Sequence, residues 1–137
     1  MLHETTLKTR YYESDAMGHI NNTSYIAYLE VARADFFHET GISRDGEPFK
    51  YVVASVRCDY LKPLFPRQVI RIRSWITRIG TKSFCMEHEM LTDDGVLAAR
   101  AETVMVRFDT AMQQSLPLEP ETVSTLRLYL KRDDAAQ

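Results

Sequence analysis

The segment Ser14 to Tyr25, SDAMGHINNTSY, packs polar chemistry against the start of an apolar run, YIAYLEVARADFF. Asp15 supplies a carboxylate, His19 an imidazole, and Gly18 a point where the chain turns easily. Asn21, Asn22, Thr23 and Ser24 are all residue types that cap helices well, although one cap is enough. In a structural reading, Asp15 is an exposed acid near the positive end of a helix, favoured by about 0.3–1 kcal/mol. A chemical reading asks more of it. A helix start presents free N–H groups and partial positive charge, which stabilise the oxyanion formed when a carbonyl is attacked. A carboxylate held over that start acts as nucleophile or general base. Asp15 precedes Asn22 by seven residues, so a turn through Gly18 carries it there, with His19 placed to orient the acid or donate a hydrogen bond. A carboxylate at a helix start is a minimal acyl-transfer site.

The elements that position these groups follow from periodicity. Tyr25, Leu29, Ala32 and Phe36 repeat at helical spacing, while Ile26, Val31, Ala34 and Phe37 place apolar groups on other faces. This predicts a helix buried on most sides, ending at Gly41. Glu30 and Arg33, at i and i+3, are expected to pair. Beyond Pro48 the pattern alternates with strand period: Val52 to Leu61, a strand through Ile70, Ile72 and Ile76, Phe84 to Leu91, and Leu97 to Phe108. KPLFPR bends the chain, Gly80 with Thr81 and Lys82 reverses it, and Asp94-Gly95 marks a hairpin. Thr5 to Tyr12 reads as a short first strand. Pro120 opens a C-terminal helix with a Val123, Leu126, Leu130 stripe, expected on the outside or at a subunit contact. Short connections imply antiparallel neighbours, hence an α+β single domain over 1–137 with a curved sheet around one helix. Such a sheet leaves an edge to protect, so an oligomer is expected.

Composition excludes several function classes. The chain has 137 residues, 45% hydrophobic and 26% charged, with a formal net charge of -2. Nothing in this balance calls for nucleic acid or an anionic membrane. No apolar stretch approaches the ~18 residues of a membrane span, and MLHETTLKTR lacks the apolar region of a signal peptide, so a cytoplasmic setting is expected. Cys58 and Cys85 then stay reduced. His3, His19, His38 and His88 show no metal-ligand spacing, and no metal or organic cofactor is expected. His88, among apolar neighbours, reads as a hydrogen-bonded core or interface histidine. Ser24 has no base at fixed spacing and is a poor nucleophile candidate.

The run Y-x-x-S-D-A-M-G-H-I-N-N-x-x-Y-x-x-Y-x-E-x-A-R, through Arg33, resembles the hot-dog fold acyl-CoA thioesterases of the 4-hydroxybenzoyl-CoA thioesterase type. Asp59-Tyr60 with Pro63, the strand Gln68 to Ile79, the Gly80 to Ser83 turn and the strand Leu97 to Phe108 agree with it. The resemblance implies Asp15 as nucleophile or general base toward a thioester carbonyl, and the backbone N–H at or next to Asn22 as the oxyanion donor. His19 resembles the histidine of plant-type acyl-ACP thioesterases, but Met17 stands where that group has Asn. The resemblance also implies a homodimer or homotetramer with interfacial sites. Tyr25 would line the acyl pocket, and Gly80, Thr81, Lys82 and Ser83, with Arg57 or Arg78, would meet CoA. An acyl-carrier-protein substrate and a non-catalytic acyl-thioester binder on the same fold are the alternatives. Dehydratases of this fold need a His–acid pair that the segment does not resemble.

Overall fold

A computed structural model describes residues 1–131. The chain runs β1 (His3–Lys8), a 3-10 turn (Tyr11–Glu13), α1 (Asn22–Glu39), β2 (Tyr51–Tyr60), β3 (Val69–Ile79), β4 (Ser83–Thr92), β5 (Leu97–Asp109), β6 (Gln114–Ser115) and α2 (Pro120–Leu128). The strands form one antiparallel sheet in the order β1-β3-β4-β5-β2, with β6 on β5. α1 lies against the sheet on the side of β1 and β3. This is the hot-dog arrangement, a long helix in the curve of an antiparallel sheet.

α1 starts where Asn21 accepts the Thr23 N–H at 2.9 Å, so one of the four candidate caps does the capping. It stops at Thr40, followed by Gly41 at φ +79°, a conformation that favours glycine. Tyr25, Tyr28, Leu29, Ala32, Phe36 and Phe37 are buried. Burial is one-sided, however: Ile26 is half-buried, and Val31 and Ala34 are exposed, because the sheet covers only one flank. The predicted Glu30–Arg33 pair makes no close ion contact among the described residues, although the Glu30 charge acts on Arg33 at longer range; Arg33 turns inward and donates to Thr103 Oγ1 at 3.3 Å.

Two apolar clusters make the core. One gathers Ile20, Tyr25, Leu29, Ile70, Ile72 and Met90 around the first half of α1. The other gathers Phe36, Phe37, Ile76, Phe84, Met86, Met105 and Leu126 around its second half. Between them a polar layer crosses three strands. His88 Nδ1 meets Ser74 Oγ at 2.8 Å, and its Nε2 meets Thr103 Oγ1 at 3.2 Å, the atom that also receives Arg33. His88 is thus a hydrogen-bonded core histidine. Burial, reinforced by the Arg33 charge, lowers its pKa to about 3.

The ends differ in detail from expectation. β1 stops at Lys8 instead of continuing to Tyr12, because Thr9 Oγ1 turns to the Phe65 and Gln68 carbonyls and Glu13 caps the Arg10 N–H at 2.7 Å. α2 packs on the rest of the fold through Leu126, which is fully buried, whereas Leu130, the last residue of the expected stripe, lies beyond the helix and is exposed. No helix among the described residues is long and apolar enough to cross a membrane.

Candidate active site

Asp15 sits in a tight loop pinned at both ends. Ser14 and Ile20 form an antiparallel bridge, and Asp15 N–H donates to the His19 carbonyl at 2.7 Å. Gly18 closes the loop at φ +81°, donating its N–H to the Asp15 carbonyl at 3.1 Å. Inside the loop, Asp15 Oδ1 accepts the Met17 N–H at 2.8 Å and the His19 N–H at 3.2 Å. One carboxylate oxygen is therefore fixed by backbone, and Oδ2 is left to act. Met17 points outward and is exposed.

Ile20 is buried and donates its N–H to the Leu64 carbonyl at 2.8 Å, which ties the loop to the segment between β2 and β3. Asn22, the first residue of α1, has no helical acceptor for its N–H, and that group meets no other acceptor among the described residues. A cavity of about 190 Å³ brings Asp15, His19, Asn22 and Tyr25 together with Tyr60, Leu61, Lys62 and Pro63. His19 is half-buried, with its ring edge-on to Phe65 at 5.2 Å. It orients Asp15 through its backbone N–H, while its ring lines the cavity.

Tyr25 is a bracing group. Its hydroxyl donates to the Lys62 carbonyl at 3.1 Å and accepts the Leu64 N–H at 3.0 Å, and burial raises its pKa. Its ring meets that of Tyr60 edge-on at 5.0 Å, and the Tyr60 hydroxyl lies 3.4 Å from the Asn22 carbonyl. The Tyr60 to Pro63 wall joins the site only through this long-range packing. The Asp59-Tyr60 and Pro63 matches were its one sequence signal, and they carried no role.

The other expected groups lie elsewhere. Arg57 is exposed beside Asp59 at 3.5 Å and shares a surface depression with Arg100 and Glu102, apart from the Asp15 cavity. Gly80 to Ser83 forms the β3–β4 turn, closed by the Gly80 N–H on the Ser83 carbonyl at 2.7 Å. It follows Ile79 at the Phe36 end of the core, about 30 Å along β3 from the Ile70 end, where Asp15 lies. Arg78 is exposed at that same far end. One chain does not bring these residues to Asp15. Among the described residues no group of His, Cys, Asp and Glu is arranged to hold a metal ion.

Comparison with known proteins identifies the family and agrees with the fold. Residues 9–126 match the model of the thioesterase-like superfamily. The long-chain acyl-CoA thioesterase FadM of Escherichia coli (strain K12) is 27% identical over 131 residues, covering 93% of this chain and 99% of that protein. A predicted thioesterase from Bacillus stearothermophilus superposes with a TM-score of 0.89 at 24% identity, covering 97% and 99% of the two chains. The putative thioesterase PA2801 of Pseudomonas aeruginosa superposes with a TM-score of 0.83 at 28% identity, covering 90% and 98%. The chain belongs to the thioesterase-like superfamily, and the activity that goes with it is thioester hydrolysis.

Proposed function

We propose that this protein hydrolyses acyl-CoA thioesters to the free acid and CoA at the cavity between the Asp15 loop and the start of α1. The observation that carries this reading is the meeting of an oriented carboxylate and an unpaired helix-start N–H in one cavity. The thioester carbonyl oxygen points at the Asn22 N–H, which holds the negative charge as the carbonyl is attacked. By one route Asp15 Oδ2 takes a proton from the attacking water, the C–S bond breaks, and that proton passes to the sulfur so that CoA leaves as the thiol. By the other Oδ2 attacks the carbonyl carbon and CoA leaves as the thiolate. Water then cleaves the acyl–aspartyl anhydride to the free acid, restoring Asp15 and releasing the proton that the thiolate takes up. His19 assists from the cavity wall. Tyr25 keeps the wall in place and closes the acyl side. The setting is cytoplasmic.

The functional unit is a homodimer or homotetramer. β2 and β1 are the sheet edges, and β2 exposes Val52, Val53 and Tyr60 where β1 exposes Glu4, Thr6 and Lys8. An apolar edge strand is the one that needs a partner. Antiparallel pairing of β2 with its copy reverses the partner's sheet and carries the partner's Gly80 to Ser83 turn toward the end where Asp15 lies. CoA then spans two chains, with the partner's Lys82 near its phosphates.

The test is release of free thiol from a panel of acyl-CoAs and acyl-carrier-protein thioesters, with Asp15→Ala, Asp15→Asn and His19→Ala in parallel. Both Asp15 variants are expected to lose at least a hundredfold in kcat, and His19→Ala less. Full activity in Asp15→Ala sinks the mechanism. A larger loss in His19→Ala makes the histidine the main catalyst.

A further inference from the structure

Two short antiparallel arms carry the reacting groups. The Asn21 N–H donates to the Glu13 carbonyl at 2.8 Å, Ser14 bridges Ile20, and the Asp15 N–H donates to the His19 carbonyl at 2.7 Å. The arm that carries Asp15 begins at Glu13, and the other arm ends at Asn21, the cap of α1. These backbone bonds fix the shape of the hairpin. The Ile20 bond to the Leu64 carbonyl holds the second arm, not the arm that carries Asp15. How the Asp15 arm sits against α1 decides the distance from its carboxylate to the Asn22 N–H.

One side-chain bond makes that link. The Tyr28 hydroxyl donates to Glu13 Oε1 at 2.6 Å, and the same oxygen accepts the Arg10 N–H at 2.7 Å. Among the described residues it is the only hydrogen bond from residues 10–20 to α1 beyond its cap. Tyr28 lies about 9 Å along the helix axis from Asn22, so the bond braces the arm against a point well inside α1. Both ends are enclosed. Tyr28 is buried, and burial, followed by the Glu13 hydrogen bond and charge, raises its pKa, so the hydroxyl keeps its proton and stays a donor. The Glu13 side chain is 11% exposed. A carboxylate taken this far out of water costs stability that an apolar pair would not; what the polar pair supplies is direction. Neither residue lines the cavity that holds Asp15 and Asn22, so neither touches the reacting atoms.

We infer that Glu13 and Tyr28 are a positioning pair for the hydrolysis: their hydrogen bond sets the arm that carries Asp15 against the helix that carries the Asn22 N–H. This rests on the hydrolase reading of the Asp15 cavity and deepens it. Without the strut Asp15 keeps the Met17 and His19 N–H bonds inside its own loop, so what is lost is aim. A misplacement of about 1 Å at a reacting group is enough to cost about a hundredfold in rate.

The test reads kcat, KM and amide hydrogen exchange for the full chain and five variants, with circular dichroism to check the fold. Tyr28→Phe removes the hydroxyl and keeps the ring; kcat is expected to fall at least about tenfold with KM within about twofold of the wild type. Glu13→Ala is expected to do the same. Glu13→Gln, whose amide oxygen still accepts from Tyr28 and Arg10, is expected to keep nearly full kcat. Adding Tyr28→Phe to Glu13→Ala is expected to cost nothing more, because the bond is already gone. Tyr51→Phe is the control: it deletes a buried hydroxyl bonded to Thr122 at 3.0 Å, beside the Phe37 end of α1, and is expected to lose stability but not kcat. Every amide from Asp15 to Asn21 except Ala16 is hydrogen-bonded, and in Tyr28→Phe these are expected to exchange faster than in the wild type. Unchanged kcat in Tyr28→Phe, an equal loss in Tyr51→Phe, or additive losses in the double variant overturn the inference. A wild type that releases no thiol overturns the hydrolase reading, and exchange then judges the strut alone: faster exchange over residues 15–21 upholds it as the anchor of the arm, and unchanged exchange overturns it.

Discussion

Replacing His88 by Gln removes the buried histidine whose folded and unfolded proton affinities differ across the mildly acidic range. The folded pKa is about 3, because burial and the Arg33 charge both oppose the cation. Unfolded, the imidazole titrates near 6.5. Between these values the unfolded chain binds a proton that the folded chain refuses, so stability rises with pH across the window and is lost as pH falls through it. Full stability from this site is present above about pH 6.5. At pH 5 the gap to the unfolded pKa is about 1.5 units, which corresponds to a loss of about 2 kcal/mol at about 1.4 kcal/mol per unit. Against a total of roughly 5–15 kcal/mol, that is a large fraction. Glutamine does not titrate and offers an amide to Ser74 and Thr103. The assay is urea unfolding of both proteins at pH 8, 7, 6 and 5. The wild type should lose about 2 kcal/mol more than His88→Gln between the extremes. Parallel profiles would refute the claim that the imidazole is held neutral in the polar layer.

Tyr25→Phe leaves the Leu64 N–H and the Lys62 carbonyl without their partner; a loss of about 1–3 kcal/mol in denaturant titration is expected, with weaker substrate binding as the wall loosens. At Gly18 an added Cβ meets open space, so Gly18→Ala costs only the torsional strain of φ +81°, roughly 1–2 kcal/mol, and a fall in kcat without global unfolding would show that the loop aims Asp15. Val53→Asp puts a charge on the exposed edge of β2, and a fall in solution mass to that of the monomer is expected by light scattering.

α1 was legible because Tyr25, Leu29, Ala32 and Phe36 repeat at its pitch, and all four are buried on the sheet side. The strands of the middle sheet were legible for the same reason at period two. β2 shows where alternation misleads: its register shifts between Val53 and Ser55, and Val52, Val53 and Ala54 are all exposed, since the strand has one neighbour instead of two. The Asp15 loop was readable because its parts are contiguous. Tyr60 to Pro63 escaped because packing brings in that wall from more than thirty residues away. Arg33 was assigned to Glu30 by spacing; its inward turn depends on Thr103, seventy residues later, and no local rule reaches that far.

The polar layer of Ser74, His88 and Thr103 cuts the interior into two separately filled compartments. The compartment nearest Asp15 holds the scaffold for the reaction. The other holds Phe36, Phe37, Tyr51 and Met105, with Phe37, Tyr51 and Met105 lining a cavity of about 440 Å³ beside Arg33. Repacking Met105 or Phe84 is therefore expected to act mainly within its own compartment, up to the hydrogen-bonded layer of Ser74, His88 and Thr103. A lineage carrying this partition can drift in side-chain volume at one end of the helix while the loop at the other keeps its aim.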